Sequence, residues 1–416
     1  MNAHLVNSSR RDAVAAGVKA ACLVAVLAGS AAVAQLEDVR FSAHEFAAAT
    51  APDTAVAALP AGAVERTEPG TPQAIAGEPL RIVFRLTRPA SVTALVLDAD
   101  DLVIRQLLRD SPRPVGTNTL AWDAKDDDGL TVPDEAYRVV LRATVAGATT
   151  PAEYDPGLNW QPQEVPVGAL ACDPATDTVR FELQAMARVR LRAGRRGGAL
   201  AATLLDWAPR LAGTHTLSWD GRDASGVRWD LSAADFAILG EATSLPENTV
   251  VTRGNPIHPL AYWSARAARL GVSLPELRLA LVRGSVDGKA TPGAAASRDG
   301  AVVPGSSYLL ARAPEFTLAL AAGAKTDEDG TPIVAGELAL RLQLSEIGQT
   351  LLRNRRYEVV FFVDGALVSE DETGYTPYTW AFDTRGLANG RHVLTVNLAT
   401  LDGQVGSASI AVRVAN

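Results

Sequence analysis

The chain has 416 residues, a formal charge of -8, 47% apolar residues and 21% charged residues. That length allows two to four domains with their own cores, and the apolar content is too high for a disordered polymer. The acidic balance argues against a general nucleic-acid binder, and five His with two Cys are too few for zinc-finger, iron–sulfur or multi-haem sites.

Residues 1–34 read as a secretory signal. Arg10, Arg11 and Lys19 form a positive region, an apolar Ala-rich run follows, and Ala32-Val33-Ala34 is a small-x-small cleavage site before Gln35. The uncharged run is at the short end for a membrane span, so cleavage is expected rather than anchoring, with no membrane span left afterwards. The expected address is exported: periplasm, cell surface or extracellular. Only Cys172 would then remain, which rules out an intramolecular disulfide and points to a buried thiol. Residues 35–77, rich in Ala, Pro and Thr, read as a flexible tether.

The sequence then repeats itself at a constant offset of 97 residues. Phe84, Leu86, Val92, Pro112, Gly116, Leu120, Trp122, Asp123, Asp126 and Gly129 recur as Phe181, Leu183, Val189, Pro209, Gly213, Leu217, Trp219, Asp220, Asp223 and Gly226. So many identities without a gap indicate duplication of a domain-sized unit. In the first copy, strands are expected at Ile82–Leu86, Val92–Leu97, Leu102–Leu108, Asn118–Trp122 and Tyr137–Val145, with acidic turns between them. Short strands at near-regular spacing predict a β-sandwich. A Trp ending a strand can bury its ring and satisfy its N–H inside, the following Asp can accept turn amides, and Gly129 and Gly226 suit positive φ.

Trp122-Asp123-Ala124-Lys125-Asp126-Asp127-Asp128-Gly129 with Val132-Pro133 and Tyr137 resembles the immunoglobulin-like (Ig-like) domain of the flagellar hook-capping protein, the FlgD-like Ig family. Trp219-Asp220-Gly221-Arg222-Asp223-Ala224-Ser225-Gly226 is similar to it as well, although Phe236 stands where the family has a tyrosine. The resemblance implies two tandem Ig-like domains, at 78–150 and 151–250. It implies little about function, because such modules recur on many secreted bacterial proteins. The hook cap itself leaves the cell without a cleaved signal, whereas one is expected here, so the whole protein is not expected to be a hook cap.

Residues 251–313 read as a partly helical connector. Pro259 to Leu270, with Leu260, Trp263, Ala267 and Leu270 on one face, predicts a short helix, and an interdomain brace is the favoured role. From 314 to 416, strands are expected at Leu338–Leu344, Tyr357–Val363, Tyr378–Asp383, His392–Leu398 and Ser407–Val414, with a hairpin turn at Asp364-Gly365. Phe362-Val363-Asp364-Gly365 and Asn389-Gly390-x-His392 resemble bacterial Ig-like modules on secreted glycosidases and adhesins. The fold class is therefore all-β: tandem Ig-like sandwiches with a short, partly helical connector.

No Glu-x-x-His, His-x-His or Gly-x-Ser-x-Gly pattern is present, so no catalytic residue is nominated and a non-enzymatic role is expected. No cofactor is expected, with calcium as the one exception. Asp98, Asp100 and Asp101 on one turn and Asp123, Asp126 and Asp128 on another supply the oxygen donors a hard cation takes. The alternative is solvated turn carboxylates. Trp160 and Trp263 are candidates for stacking on sugars, against ordinary core packing. The favoured reading is a structural, adhesion or assembly scaffold whose partner is an envelope or extracellular protein assembly. The alternative is a carbohydrate-binding accessory whose partner is a polysaccharide.

Overall fold

The computed structural model describes residues 36–47, 64–66, 78–277, 285–286, 289–290, 307–320 and 325–416. The expected signal at 1–34 lies outside them. The described chain is built from strands arranged as three two-sheet sandwiches, with one longer helix between the second and third.

In the first sandwich, Leu80–Leu86 lies between Leu36–Phe41 and Gly116–Trp122. The facing sheet runs Glu45–Ala47, Val250–Arg253, Ala136–Thr144, Ala90–Leu97, Val103–Arg113. Alternation explains the first of these elements: in Leu80–Leu86, Leu80, Ile82, Phe84 and Leu86 are at most 1% exposed and the residues between them are less buried. Two sequence expectations are corrected here. Residues 36–41 and 45–47, read as tether, are paired strands, and 250–253, at the start of the expected connector, pairs in parallel with 45–47. The first unit is thus completed from both sides of the 78–150 segment.

The second sandwich repeats the plan. Thr178–Leu183 lies between Val167–Asp173 and Gly213–Ser218, and Ala187–Arg195 lies between Leu200–Arg210 and Phe236–Ser244. The duplication is visible in the backbone itself. Asp110 and Trp207 share positive φ, as do Ala124 and Gly221, Gly116 and Gly213, and Gly129 and Gly226, each pair 97 residues apart. Pro112 and Pro209 sit in edge strands, where a missing N–H breaks no ladder.

The third sandwich packs Phe316–Leu320, Glu337–Leu344 and Tyr378–Asp383 against a five-stranded sheet. That sheet runs Ile333–Val334, Val405–Val414, Gly390–Thr400, Tyr357–Val363, Ala366–Asp371. Asp364 (φ 50°) and Gly365 (φ 81°) form the two-residue turn between the last two, both left-handed as a right-twisted hairpin requires. Phe361 stacks on Trp380 at 4.4 Å in its core. The helix Glu346–Leu352, capped by Ser345, was not anticipated.

Candidate functional site: the junction of the sandwiches

The connector helix Pro259–Arg269, here called α1, starts where proline at its first position and a capping His258 allow. His258 Nδ1 accepts from the Leu260 N–H at 3.1 Å. Burial and the nearby Arg312 push the His258 pKa down to about 3, so the ring stays neutral and able to accept. The buried side of α1 carries Leu260, Tyr262, Trp263, Arg266 and Ala267.

This face seats on the two acidic turns of the first sandwich. Asp126 Oδ1 accepts the Asp128 and Leu130 amides at 2.9 and 2.8 Å, and its Oδ2 accepts the Tyr262 hydroxyl at 2.7 Å. Asp98 Oδ1 accepts the Asp100 and Leu102 amides, both at 2.9 Å, and its Oδ2 accepts the Trp263 indole N–H at 3.0 Å. Asp100 accepts the Ser307 hydroxyl and the Tyr308 and Leu309 amides. Arg266 places its guanidinium 5.2 Å over the Trp263 ring and its Nε 3.8 Å from Asp128. Burial pushes the Asp98 carboxyl up to about 7, reinforced by Asp100 and opposed by its three N–H donors.

Next to this contact lies a buried ionic cluster joining all three parts. Glu135 of the first sandwich meets Arg188 of the second at 2.7 Å and Arg312 of the connector at 2.8 Å. The three residues are 5%, 0% and 7% exposed. Glu135 also accepts the Ala136 amide at 2.7 Å. Arg188 donates to Trp207 O at 3.2 Å and lies 4.6 Å over the Tyr308 ring. Arg312 donates to Asp206 O, and Asp206 Oδ2 accepts the Ala313 amide at 2.8 Å. Burial raises the Asp206 pKa and Arg312 pulls it back.

The second and third sandwiches are joined differently. Ala199, Ala201, Trp229 and Phe362 form a small apolar cluster between them. Asn397 exchanges two hydrogen bonds with the Leu200 backbone, at 2.9 and 3.0 Å, and Ser407 Oγ adds a third at 2.6 Å. Arg190 donates to Gly403 O at 3.1 Å. Gly198 allows this approach: a Cβ there would lie 2.4 Å from Gly365 O.

The residues singled out from sequence fall into clear places. Trp122 and Trp219 are buried, and each donates its indole N–H to a carbonyl three residues on, Lys125 O at 2.9 Å and Arg222 O at 2.7 Å. Asp123 and Asp220 accept the Lys125 and Arg222 amides. Asp223 repeats the Asp126 turn, with Oδ1 on the Ser225 and Val227 amides and Oδ2 on the Trp229 indole at 3.1 Å. Gly129 and Gly226 both sit at φ 81°. Among the described residues no group of three or more His, Cys, Asp or Glu is gathered as a metal site would need. The carboxylates of Asp98, Asp100 and Asp126 are directed at protein donors, and Asp101 pairs with Arg138. Trp263, a sugar-stacking candidate, is corrected: it is 2% exposed and belongs to the core under α1. Trp160 is half-buried.

Sequence reasoning missed Glu135, Arg188 and Arg312, because single charges on strands and loops read as solvated. It also missed a third turn of the same kind, Asp327 to Gly330. Asp327 Oδ1 there accepts the Asp329 and Thr331 amides, and Gly330 has φ 78°. The Asp-x-Asp-Gly spacing was its only signal.

Comparison with known proteins places a bacterial Ig domain at residues 357–396. Over 69 residues the chain is 38% identical to the basal-body rod modification protein FlgD of Salmonella typhimurium, and equally to that of Salmonella typhi. The match takes in 16% of this chain and 29% of each relative, so the chain spans under a third of their length. Among solved structures it is similar to fibronectin(III)-like modules of Clostridium thermocellum CbhA, at 16% identity over 23% of this chain and 93% of that one, TM-score 0.17. It is also similar to a tetra-tandem repeat from the extending region of a large adhesion protein, at 11% identity over 81% of this chain and 70% of that one, TM-score 0.17. The bacterial Ig match at 357–396 and the FlgD match support Ig-like domains; assignment of both repeat copies to the hook-cap type is not supported.

Two predictions follow from the junction chemistry. Glu135→Gln leaves Arg188 and Arg312 buried without their shared counter-charge and is expected to cost about 3–5 kcal/mol in urea unfolding. The His258 pKa lies below its ordinary value of 6.5. Between about 3 and 6.5 the unfolded chain therefore binds a proton at His258 that the folded chain does not, so the His258 contribution to stability rises with pH through that window, while Asp98, raised from 3.8 to about 7, contributes the opposite slope. His258→Asn, which keeps a capping acceptor, is expected to remove the rising contribution, so that stability relative to the parent falls as pH rises from about 3 to 6.5.

Proposed function

We propose that the protein is an exported, non-enzymatic multi-Ig scaffold serving adhesion or assembly in the bacterial envelope or outside the cell. Its first two sandwiches are taken as tandem modules of the hook-cap type, with a bacterial Ig-like module at the carboxyl end. The observation that carries this reading is where the chemistry-bearing side chains go. Asp98, Asp126 and Arg266 are spent on seating the connector helix on the first sandwich, and Glu135, Arg188 and Arg312 on holding the first sandwich to the second and to the connector. A chain that invests its buried charge in fixing domain geometry presents a shaped outer surface, which suits a building part. No helix among the described residues is long and apolar enough to cross a membrane. A second reading, a carbohydrate-binding accessory, is favoured by one observation: two aromatic side chains line an open groove beside the junction.

The test is crosslinking of residues 35–416 to the native envelope, followed by mass spectrometry. Reproducible capture of one protein complex is the expected result. Retention on cell-wall polysaccharide with no protein captured contradicts the scaffold reading.

A further inference from the structure

The groove has a volume of about 510 Å³ and is lined by the second sandwich and by Tyr308 of the connector. That size is within the ~300–1,000 Å³ of small-ligand sites. We propose that it is a subsite for a neutral hexose oligosaccharide, with Trp207 and Tyr308 as its ring platforms. This rests on the carbohydrate-accessory reading and gives that reading a place.

Trp207 and Tyr308 both line the groove, and each is backed by a guanidinium at 4.6 Å, Arg190 on Trp207 and Arg188 on Tyr308. Rings fixed in this way by the junction are held ready to pack on the C–H face of a sugar. The backbone at Trp207 adds a second observation. It has φ 53°, a region that bulky residues rarely adopt. The first copy makes the same bulge with Asp110, a residue suited to it. The second copy instead places an indole there, in spite of the conformational cost of that region for a bulky side chain. The Trp207 Nε1 is buried and has no acceptor among the described residues. The polar groups beside the rings match hydroxyls. Glu241 is fixed by Arg190 and Arg192 yet remains 44% exposed at its side chain, leaving lone pairs for two O–H donors. Gln163 has its backbone pinned to Ser244 while the residue is exposed, so its amide can both donate and accept. Planar, bidentate groups next to two rings suit a ring with neighbouring hydroxyls better than a chain of prolines.

The test is isothermal titration of the full chain with cellotetraose, chitotetraose, xylotetraose and mannotetraose, and separately with decaproline. Tryptophan fluorescence is followed in parallel. At least one sugar is expected to bind, and Trp207→Ala and Tyr308→Ala each to weaken it about tenfold or more. Trp160→Ala is expected to bind like the parent. Because Trp207 also packs on Arg190, Gln163→Ala is read alongside and is expected to weaken the same sugar if Trp207→Ala fails to fold. Sugar binding undiminished in Tyr308→Ala and Gln163→Ala overturns the groove and leaves the accessory reading standing. No sugar binding overturns both. Binding of decaproline alone overturns the proposal in favour of a peptide groove.

Discussion

The seating of the first sandwich on the second and on the connector depends on one buried carboxylate. Glu135 belongs to the first sandwich, yet its two oxygens are held by Arg188 of the second and Arg312 of the connector. A carboxylate taken so far out of water is costly unless its oxygens are filled, and it gains most when both counter-charges are present together. The first sandwich, the second sandwich and the connector therefore share one buried charge balance. The same residue is tied to the strand at Val250–Arg253: its N–H donates to Thr252 Oγ1, whose own N–H donates to Glu135 O. Sheet pairing and domain docking thus share one residue.

The two copies show how a duplicated module becomes two different parts. Identities at the 97-residue offset, such as Trp122 with Trp219 and Gly129 with Gly226, maintain the strand ends and turns. The divergent positions make the contacts. Two residues are inserted after the Gly226 turn, so Glu135 has Ala234 as its counterpart in the strand register, and Arg188 has Ser91. The turn aspartates stay the same while their outer oxygens take different donors: Tyr262 from the connector for Asp126, and Trp229 from within the copy for Asp223. Trp229 then packs with Phe362, so the second turn supports the third sandwich where the first supports the helix.

Most of the fold was legible because strand alternation is local. Tyr357–Val363 and Tyr378–Asp383 match the expected spans, and α1 begins at the expected proline. The strands at 36–41 and 45–47 were hidden by their Ala-, Pro- and Thr-rich surroundings, since an edge strand needs little sequence signal once a partner is present. Residues 187–195 show why the junction was not legible. In Ala-Arg-Val-Arg-Leu-Arg, the alternation puts Arg188 and Arg190 on a face that reads as wet. That face is covered by residues more than 100 positions away, among them Tyr308 and Gln404. The acidic turns were visible for the same local reason, but the donors that fill them come from another segment, which left a cation as the apparent partner.

If these contacts hold the sandwiches as one body, the distance between the first and the third must be fixed. Nitroxides at the exposed positions Thr119 and Glu370, placed by Thr119→Cys and Glu370→Cys in residues 35–416 carrying Cys172→Ser, report it by pulsed dipolar spectroscopy. The account predicts a single narrow distance distribution in the otherwise unaltered chain. A broad or multi-peaked distribution would contradict it, because the buried junction would then not be setting the arrangement of the domains.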